Sequence, residues 1–388
     1  MPICLVALAA CGGGGAGAPD AAGDDAGGDA PACARMPAAA DRVRHVVVSH
    51  PYDASSQQAN AWEVLDLSAT GELTRPNHTF TMGRGMDTEI AFTPDGEIGI
   101  AVQDDGSLGV FRLDAAGVPT VVAAHVPASF YAGRVVMAST GDHAYVLDDE
   151  WRDNGGGIYR IDIACDGTVS ERGLVAAAKM PSALAFVPGT DRAVIAATDV
   201  ATSAAGATAH LVTWGEPPAY VGGVDAFGDD MAIVGGAALT SDGGHFLIGD
   251  NSGFASVPNR VSVVTVGAGG VSAPVVLPNI MDPFSLVASP FGDVVLVVSG
   301  FGNAFYVVDR GASGFRLRGE VTYQGAKPEL PGGAVRIDAG TLRGWVLVAE
   351  NLGVRRVELA PDGSVIDHGK YALGTGTANI VGAVGVTP

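Results

Sequence analysis

Basic residues and helical patterns are both scarce in this chain of 388 residues. Lysine and arginine together number 22 against 42 aspartates and glutamates, which leaves a formal net charge of −20. The lysines are Lys179, Lys327 and Lys370. Because phosphate contacts need clustered Lys and Arg, this deficit argues against nucleic acid as a partner. Apolar residues do not recur every three to four positions after the N-terminal region, so we predict little or no helix.

The short motifs of several enzyme classes are also missing. The sequence contains no G-x-S-x-G, no H-E-x-x-H, no P-loop and no C-x-x-C. The 56 glycines show no collagen-like period, and they fit a fold that is dense in turns. Candidate functional residues must therefore be inferred from their place in the fold.

The N-terminal region predicts a lipid anchor. Cys4–Cys11 is a short apolar run, and its last four residues, Leu8–Cys11, resemble the bacterial lipobox, whose cysteine is lipidated. The run is too short to span a bilayer. We expect residues 1–11 to be a signal peptide ending at Cys11 and residues 12–42, rich in Gly, Ala and Asp, to be a disordered tether. The protein would then be lipid-anchored in a bacterial cell envelope; an unprocessed Ala-rich N-terminus is the alternative.

The clearest structural signal is the stretch Glu89–Pro127. Short apolar runs alternate there with turn signals such as Pro94-Asp95-Gly96, a pattern typical of an all-β domain. Four strands are predicted in it: Ile90–Thr93, Ile98–Val102, Leu108–Asp114 and Pro119–Val126.

Related units recur about every 49 residues, which is typical of a propeller blade of four strands. The repeats begin at Val43 with a second strand, and Ile380–Pro388 supplies a first strand with no second. We therefore predict a seven-bladed β-propeller over residues 43–388. It would be closed by pairing the C-terminal strand with the N-terminal three strands, which removes exposed sheet edges.

Two of these units, Val146–Ile163 and Val295–Asp309, resemble the YVTN repeats of surface-layer propellers and of lactonase-like seven-bladed propellers. The resemblance covers Val43–Pro388, although the YVTN tetrad itself is not present. It implies the propeller fold and, as a candidate activity, hydrolysis of a lactone.

A propeller of this kind has two faces. We call one the tight-turn face, because it carries the turns within strand pairs, such as Thr93–Gly96 and Ala360–Gly363. The loop face carries longer segments: Ser49–Ala61, Asp148–Gly157, Asp199–Ala209, Asp250–Asn259 and Thr322–Gly333. Long loops on a rigid scaffold commonly form binding sites, so we expect a small-molecule ligand or protein partner at the loop face. The tether should enter at the tight-turn face.

Acidic residues just before first strands could reach the mouth of the central channel. Candidates to activate water are Asp87, Glu89, Asp229 and Asp230, with His50 at a loop-face strand exit. Asp87, Glu89 and Asp282 are also candidate oxygen ligands for Ca²⁺ as a cofactor. The alternative is that these carboxylates are solvated loop charges.

Two further sets of residues recur at fixed blade positions. His45, His143 and His245 begin second strands, and this repetition favours a structural role over metal binding. Acidic and amide residues follow second strands, where they either cap turns or form a cation-binding ring: Asp104, Asp148, Asp149, Asp199, Asp250, Asn251, Asn303 and Asn351.

Of the four cysteines, Cys4 would be removed with the signal peptide and Cys11 lipidated, which leaves Cys33 and Cys165 in an oxidising compartment where they can pair. The segment between Cys33 and Val43 is long enough for Cys33 to reach Cys165, so a Cys33–Cys165 disulfide is feasible. Two free thiols are the alternative. Taken together, the sequence predicts a non-enzymatic envelope lipoprotein that binds a ligand or partner at its loop face. The alternative is a lactonase-like hydrolase that uses carboxylates at the channel mouth.

Overall fold

All the regular elements in the part of the chain that the computed structural model describes are β-strands. It describes residues 35–39, 41–53, 55, 57–85, 89–148, 156–197, 199–200, 207–228, 234–251, 259–272, 274–373 and 382–388. The chain divides after Ala32, and every described residue belongs to the unit Cys33–Pro388. Within these ranges we find no helix with the length and apolar character needed to cross a membrane.

Tight turns end the short strands. The N–H of Gly96 donates to the carbonyl of Thr93 over 2.7 Å, and Gly96 has a φ of +74°. Glycine adopts this left-handed conformation without a steric penalty. The Asp95 carboxylate accepts the N–H of Glu97 over 3.0 Å, which completes the turn.

Seven antiparallel sheets, the blades, follow one another along the chain. Blade 1 begins with β1 (Arg44–Tyr52), β2 (Gln58–Leu67) and β3 (Leu73–Thr81). Blade 2 contains β4 (Ala91–Phe92), β5 (Ile98–Val102), β6 (Leu108–Leu113) and β7 (Pro119–Val126). Blade 3 contains β8 (Ala132–Met137), β9 (His143–Asp148), β10 (Gly157–Ile163) and β11 (Val169–Lys179).

The remaining blades continue this order. Blade 4 spans β12 (Ala183–Phe186), β13 (Arg192–Ala196), β14 (Asp199–Val200), β15 (Ala209–Thr213) and β16 (Ala219–Val224). Blade 5 spans β17 (Val234–Leu239), β18 (His245–Asp250), β19 (Arg260–Gly267), β20 (Gly270–Val271) and β21 (Val275–Pro278). Blade 6 contains β22 (Pro283–Ala288), β23 (Val294–Ser299), β24 (Ala304–Gly311) and β25 (Gly314–Glu320). Blade 7 contains β26 (Ala334–Arg336), β27 (Trp345–Glu350), β28 (Gly353–Leu359) and β29 (Val365–Ala372).

The C-terminal strand β30 (Val384–Val386) completes blade 1 and confirms the predicted closure. It pairs antiparallel with β1, with Val386 opposite Val46 and Val384 opposite Val48. Between them, Gly385 lies against blade 2, where an added Cβ would stand 2.5 Å from the Cβ of Ile90. Glycine therefore allows the first strand of blade 1 to approach its neighbour closely.

Two short strands were not predicted. β14 leaves its own blade and pairs with β11 of blade 3, with Val200 opposite Ala178. β20 forms a small hairpin with the end of β19, with Val271 opposite Val266. Both lie in segments without an apolar pattern of their own, so neighbouring strands determine their conformation.

The core lies between blades. Seven buried apolar clusters each join strands of two neighbouring blades, including a cluster between blades 7 and 1. In β1, Val46 and Val48 pack in the cluster with blade 7, whereas Val47 packs in the cluster with blade 2. Successive side chains of a strand point to opposite faces, and here both faces are covered. This explains why the second strands read as continuous apolar runs.

Candidate active site

The first strands of the blades surround a central cavity of about 660 Å³. This volume lies within the range of small-molecule sites, about 300–1,000 Å³. Its wall is formed by residues at or near β4, β8, β12, β17, β22 and β26 of blades 2 to 7. We call this space the channel cavity.

A carboxylate and a guanidinium meet toward the loop-face end of the channel cavity. Glu89 precedes β4, and Arg134 lies on β8 of the next blade; their Oε1 and Nη1 atoms are 3.9 Å apart. The two side chains are 36% and 23% exposed, so both remain open to water. Glu89 is fixed by its bridge to Val384 and by the N–H of Ile90, which donates to the carbonyl of Val384 over 2.9 Å.

Two arginines of blade 7 lie toward the tight-turn end of the same cavity. Arg336, at the end of β26, donates to Asp338 over 2.5 Å and to the carbonyl of Ala288. Arg343 donates to the carbonyl of Pro290 over 3.1 Å. These contacts hold both guanidinium groups at the channel wall.

Apolar side chains also line the cavity, and three of them, Met137, Phe186 and Leu239, occupy the same strand position as Arg336. They come from four blades, and Phe186 is the most open of the large ones at 39% exposure. We call this set the apolar belt: Val136, Met137, Phe186, Leu239 and Val335.

The predicted catalytic residues are placed as follows. Glu89 lines the channel cavity. His50 is 4% exposed within blade 1, where its Nε2 lies 3.1 Å from Oε2 of Glu63. Burial alone would raise the pKa of Glu63, but hydrogen bonds from His50 and Arg75 hold it below its ordinary value. The carboxylate of Glu63 therefore has its partners, His50 and Arg75, within its own blade. The predictions for Asp87, Asp229 and Asp230 lie outside the described residues.

Asp282, a predicted calcium ligand, lies apart from the cavity lining. It is 6% exposed, and its Oδ2 accepts the N–H of Phe301 over 2.6 Å. It therefore caps the turn between β23 and β24. Burial raises the pKa of this carboxyl group, and the hydrogen bond from Phe301 offsets part of that effect. The structure does not bring Asp282 together with Glu89.

The structure brings a different set of potential metal ligands together. Asp242, His245 and Asp293 have ligand atoms within 4.8 Å of one another on the tight-turn face of blades 5 and 6. Burial and the nearby Arg310 lower the pKa of His245. The Nη1 of Arg310 lies 3.4 Å from Oδ2 of Asp293, so a cation of the protein already lies beside this group.

Residues after second strands are engaged locally. Arg84 forms an ion pair with Asp104, Arg260 donates to Asp250 over 2.8 Å, and Asn303 accepts the N–H of Leu330 over 2.7 Å. Such contacts favour a structural role over a shared cation. Much of the predicted loop face, including 149–155, 201–206 and 252–258, lies outside the described residues. Partner binding there stays a prediction.

The end of the predicted tether contacts the tight-turn face. Arg35 donates to Asp95 over 3.0 Å and to the carbonyl of Ala164 over 2.9 Å. Cys165, which directly follows Ala164, is disulfide-bonded. The other cysteines, including Cys11 and Cys33, lie outside the described residues, so the Cys33–Cys165 pairing stays a prediction.

Sequence reasoning missed the arginines of the cavity. A usable signal existed, because Arg134 and Arg336 each interrupt an otherwise apolar or small-residue first strand. A charged residue in a strand that lines a channel has only the channel in which to place its charge.

Comparisons with known proteins support the fold. No protein-family model matches the chain. No curated protein matches it either. Among solved structures, the periplasmic gluconolactonase of Pseudomonas aeruginosa has a TM-score of 0.63 at 14% identity, covering 89% of this chain and 100% of that one.

Two further structures give similar values. A Lactobacillus plantarum protein has a TM-score of 0.63 at 11% identity, with 89% and 100% coverage. A Bacteroides uniformis protein, provisionally named a 6-phosphogluconolactonase, has a TM-score of 0.62 at 11% identity, with 89% and 99% coverage. At these identities the likeness establishes that the chain shares the seven-bladed propeller fold of proteins named as lactonases.

Proposed function

We propose that this protein is a lactone hydrolase whose active site is the channel cavity. The observation that carries the proposal is the pairing of Glu89 with Arg134 at 3.9 Å inside a cavity of about 660 Å³. The names of the structural neighbours agree with this reaction class. They support it by analogy of fold only.

The chemistry requires a base and a group that stabilises negative charge. Glu89 accepts a proton from water while the water oxygen bonds to the lactone carbonyl carbon. Arg134 stabilises the oxyanion that forms on the carbonyl oxygen. The ring C–O bond then breaks, and the proton held by Glu89 passes to the departing ring oxygen. The product is a hydroxy acid.

Substitution of Glu89 tests this assignment. Glu89→Gln keeps the size of the side chain but cannot accept the proton, so kcat should fall about 10²–10⁴-fold. Glu97→Gln is the matched control, because Glu97 lies in the tight turn of the same blade and pairs with the exposed Arg112. The measurement is the initial rate of hydrolysis of each lactone in a panel, detected by the acid that the reaction releases.

Unchanged turnover in Glu89→Gln would remove Glu89 from the mechanism. If the wild-type protein hydrolysed no lactone at all, the enzymatic proposal would fail. Non-enzymatic binding at the loop face, predicted from the sequence, would then replace it.

We further propose that the protein works at the bacterial cell envelope. The lipobox-like residues Leu8–Cys11 support a lipid anchor, and the disulfide at Cys165 fits an oxidising compartment. One structural neighbour is named as periplasmic. Fractionation of a Cys11→Ser variant tests this placement.

A further inference from the structure

Positive charge predominates in the channel cavity, although the chain as a whole is strongly acidic. The sequence has 42 acidic and 22 basic side chains, so carboxylates outnumber cations almost two to one. The cavity reverses this balance, because its charged lining residues are three arginines and two carboxylates: Arg134, Arg336, Arg343, Glu89 and Asp338. A cleft lined with an excess of one sign of charge attracts ligands of the opposite sign.

The two arginines of blade 7 carry this excess, because Glu89 already faces Arg134 at the other end of the cavity. Arg336 forms an ion pair with Asp338. Arg343 has no carboxylate within 4.0 Å among the residues that the structure describes. The tight-turn end of the cavity therefore contains two cations and one anion.

Contacts with blade 6 place the two guanidinium groups beside each other. Arg336 donates to the carbonyl of Ala288. Arg343 donates to the carbonyl of Pro290, two residues further along the chain. Two residues span at most about 7 Å, so the two arginines occupy neighbouring positions of the channel wall. The Arg343 guanidinium also lies over the Phe291 ring, 5.0 Å from its centroid, which restricts its orientation.

These contacts leave hydrogen-bond donors unused. A guanidinium carries five N–H groups on three nitrogens. Arg336 donates through Nε and Nη1, and Arg343 donates through Nη2. The Nη2 of Arg336 and the Nε and Nη1 of Arg343 have no hydrogen-bond partner within the described part of the chain. The contacts between blades therefore account for only part of each guanidinium group.

No acidic side chain of blades 3, 4 and 5 competes for Arg336 at its own level. The equivalent strand positions in these blades are apolar: Met137, Phe186 and Leu239. Arg134 precedes Met137 by three residues on β8, which corresponds to about 10 Å along the strand. The tight-turn end is therefore separate from the proposed catalytic pair.

We propose that the tight-turn end of the channel cavity binds a small oxyanion, a carboxylate or a phosphate group, at Arg336 and Arg343. Planar guanidinium groups match the oxygen atoms of both anions and form charge-assisted hydrogen bonds with them. This site does not depend on the proposed hydrolase, because the catalytic pair is not part of it.

Calorimetric titration with acetate, succinate and inorganic phosphate tests the proposal. Each titration is matched in ionic strength with sodium chloride, because salt screens the net charge of −20. At least one of the three anions should bind the wild-type protein with a stoichiometry of one. The comparison among them distinguishes a carboxylate site from a phosphate site.

Variants locate the anion. Arg336→Gln and Arg343→Gln should each weaken binding about tenfold or more, because each removes charge-assisted hydrogen bonds. Arg343→Gln leaves no carboxylate unpaired, so its Tm without anion should stay near that of the wild type. Arg192→Gln is the matched control: Arg192 begins β13 on the tight-turn face and donates to the carbonyl of Gly267 over 3.3 Å, away from the cavity lining. It should keep the wild-type affinity.

The outcomes separate this site from the proposed function. Failure of all three anions to bind the wild-type protein would overturn the anion site and leave the hydrolase standing. Unchanged affinity in both Arg336→Gln and Arg343→Gln, or an equal loss in Arg192→Gln, would show that the anion does not bind at these arginines. Glu89→Gln should keep its anion affinity even where lactone turnover is lost.

Discussion

Buried carboxyl groups of this protein differ in what they contact. Glu63 receives hydrogen bonds from His50 and Arg75, whereas Asp282 receives one from the backbone N–H of Phe301. Two groups with similar burial therefore have pKa values shifted in opposite directions. The guanidinium of Arg75 makes the difference, because a neighbouring cation stabilises the ionised form of Glu63.

Asp282→Asn should show a pH-dependent effect on stability. The pKa of Asp282 is raised by burial, so the folded state binds its proton more readily than the unfolded chain does. Stability contributed by Asp282 is therefore lost as pH rises through the folded-state pKa. Asparagine does not titrate and accepts the same N–H. The Tm of the variant minus that of the wild type should be larger at neutral pH than near pH 4.

Asp362 provides a control of opposite sign. Its pKa is lowered by the hydroxyl and N–H of Ser364, so the stability it contributes grows as pH rises through the folded-state pKa and is fully present above the unfolded-state pKa. The Tm difference for Asp362→Asn should therefore become more negative toward neutral pH. A pH-independent difference for Asp282→Asn would contradict the assignment of a raised pKa.

At the scale of elements, strand β28 holds the described loop Thr322–Gly333 through one buried arginine. Arg355 is 1% exposed; it donates to Glu350 over 2.8 Å, to Asp367 over 2.8 Å and to the carbonyl of Ala326 over 3.0 Å. Asp367 in turn accepts the N–H of Gln324 over 2.7 Å. The network connects three strands of blade 7, β27, β28 and β29, with the segment between blades 6 and 7.

Arg355→Met should destabilise the protein by about 3–5 kcal/mol, because it leaves the buried Asp367 without its cation and leaves the buried Glu350 with Lys370 alone, at 3.4 Å. Arg316→Met is the control: Arg316 pairs with Asp309 but is 63% exposed, so its loss should cost less than about 1 kcal/mol. Urea unfolding at neutral pH measures both. Equal costs for the two variants would contradict the network's role.

At the scale of the whole molecule, closure of the ring depends on residues from both ends of the sequence. β30 completes the sheet of β1, and the buried cluster between blades 7 and 1 includes Val384 and Val386. The same first strand contacts blade 2 through Gly385 and Ile90. Since Glu89 bridges to Val384, ring closure also positions the proposed base.

The envelope proposal concerns the whole chain. Wild-type protein expressed in a bacterium should partition into the detergent-rich phase, because acyl chains on Cys11 bind membranes strongly. Cys11→Ser should move to the aqueous phase, and Cys4→Ser, within the predicted signal peptide, should not. A Cys11→Ser variant that remained with the detergent would contradict the lipid anchor.

Some features depend on local sequence alone. Ile98–Val102 was predicted as a strand and is β5. Its apolar run and the turns Pro94–Gly96 and Asp104–Gly106 are readable without distant residues, because turn chemistry is local. Closure of the ring was also predictable, because the repeats begin with the second strand of a blade and end with a first strand, and together these complete one blade.

The site was less predictable. A position just before a first strand predicts both Glu89 and Asp282 at the channel mouth, but Asp282 instead caps the turn between β23 and β24. A shift of a few positions along the chain decides whether a side chain faces the channel, a neighbouring blade or a loop. The alternation of side chains that identifies a strand does not show which neighbouring strands form a cavity with it.

The sequence by itself determined the four-stranded blades, the number of blades and the closed ring, because these depend on alternation, turns and repeat length. Only the tertiary structure decided that Glu89 meets Arg134 and that Asp282 caps a turn of blade 6. The contact between Glu89 and Arg134 joins residues of different blades that lie far apart in the sequence. Its geometry depends on how the seven blades pack around a common axis, and no local pattern encodes it.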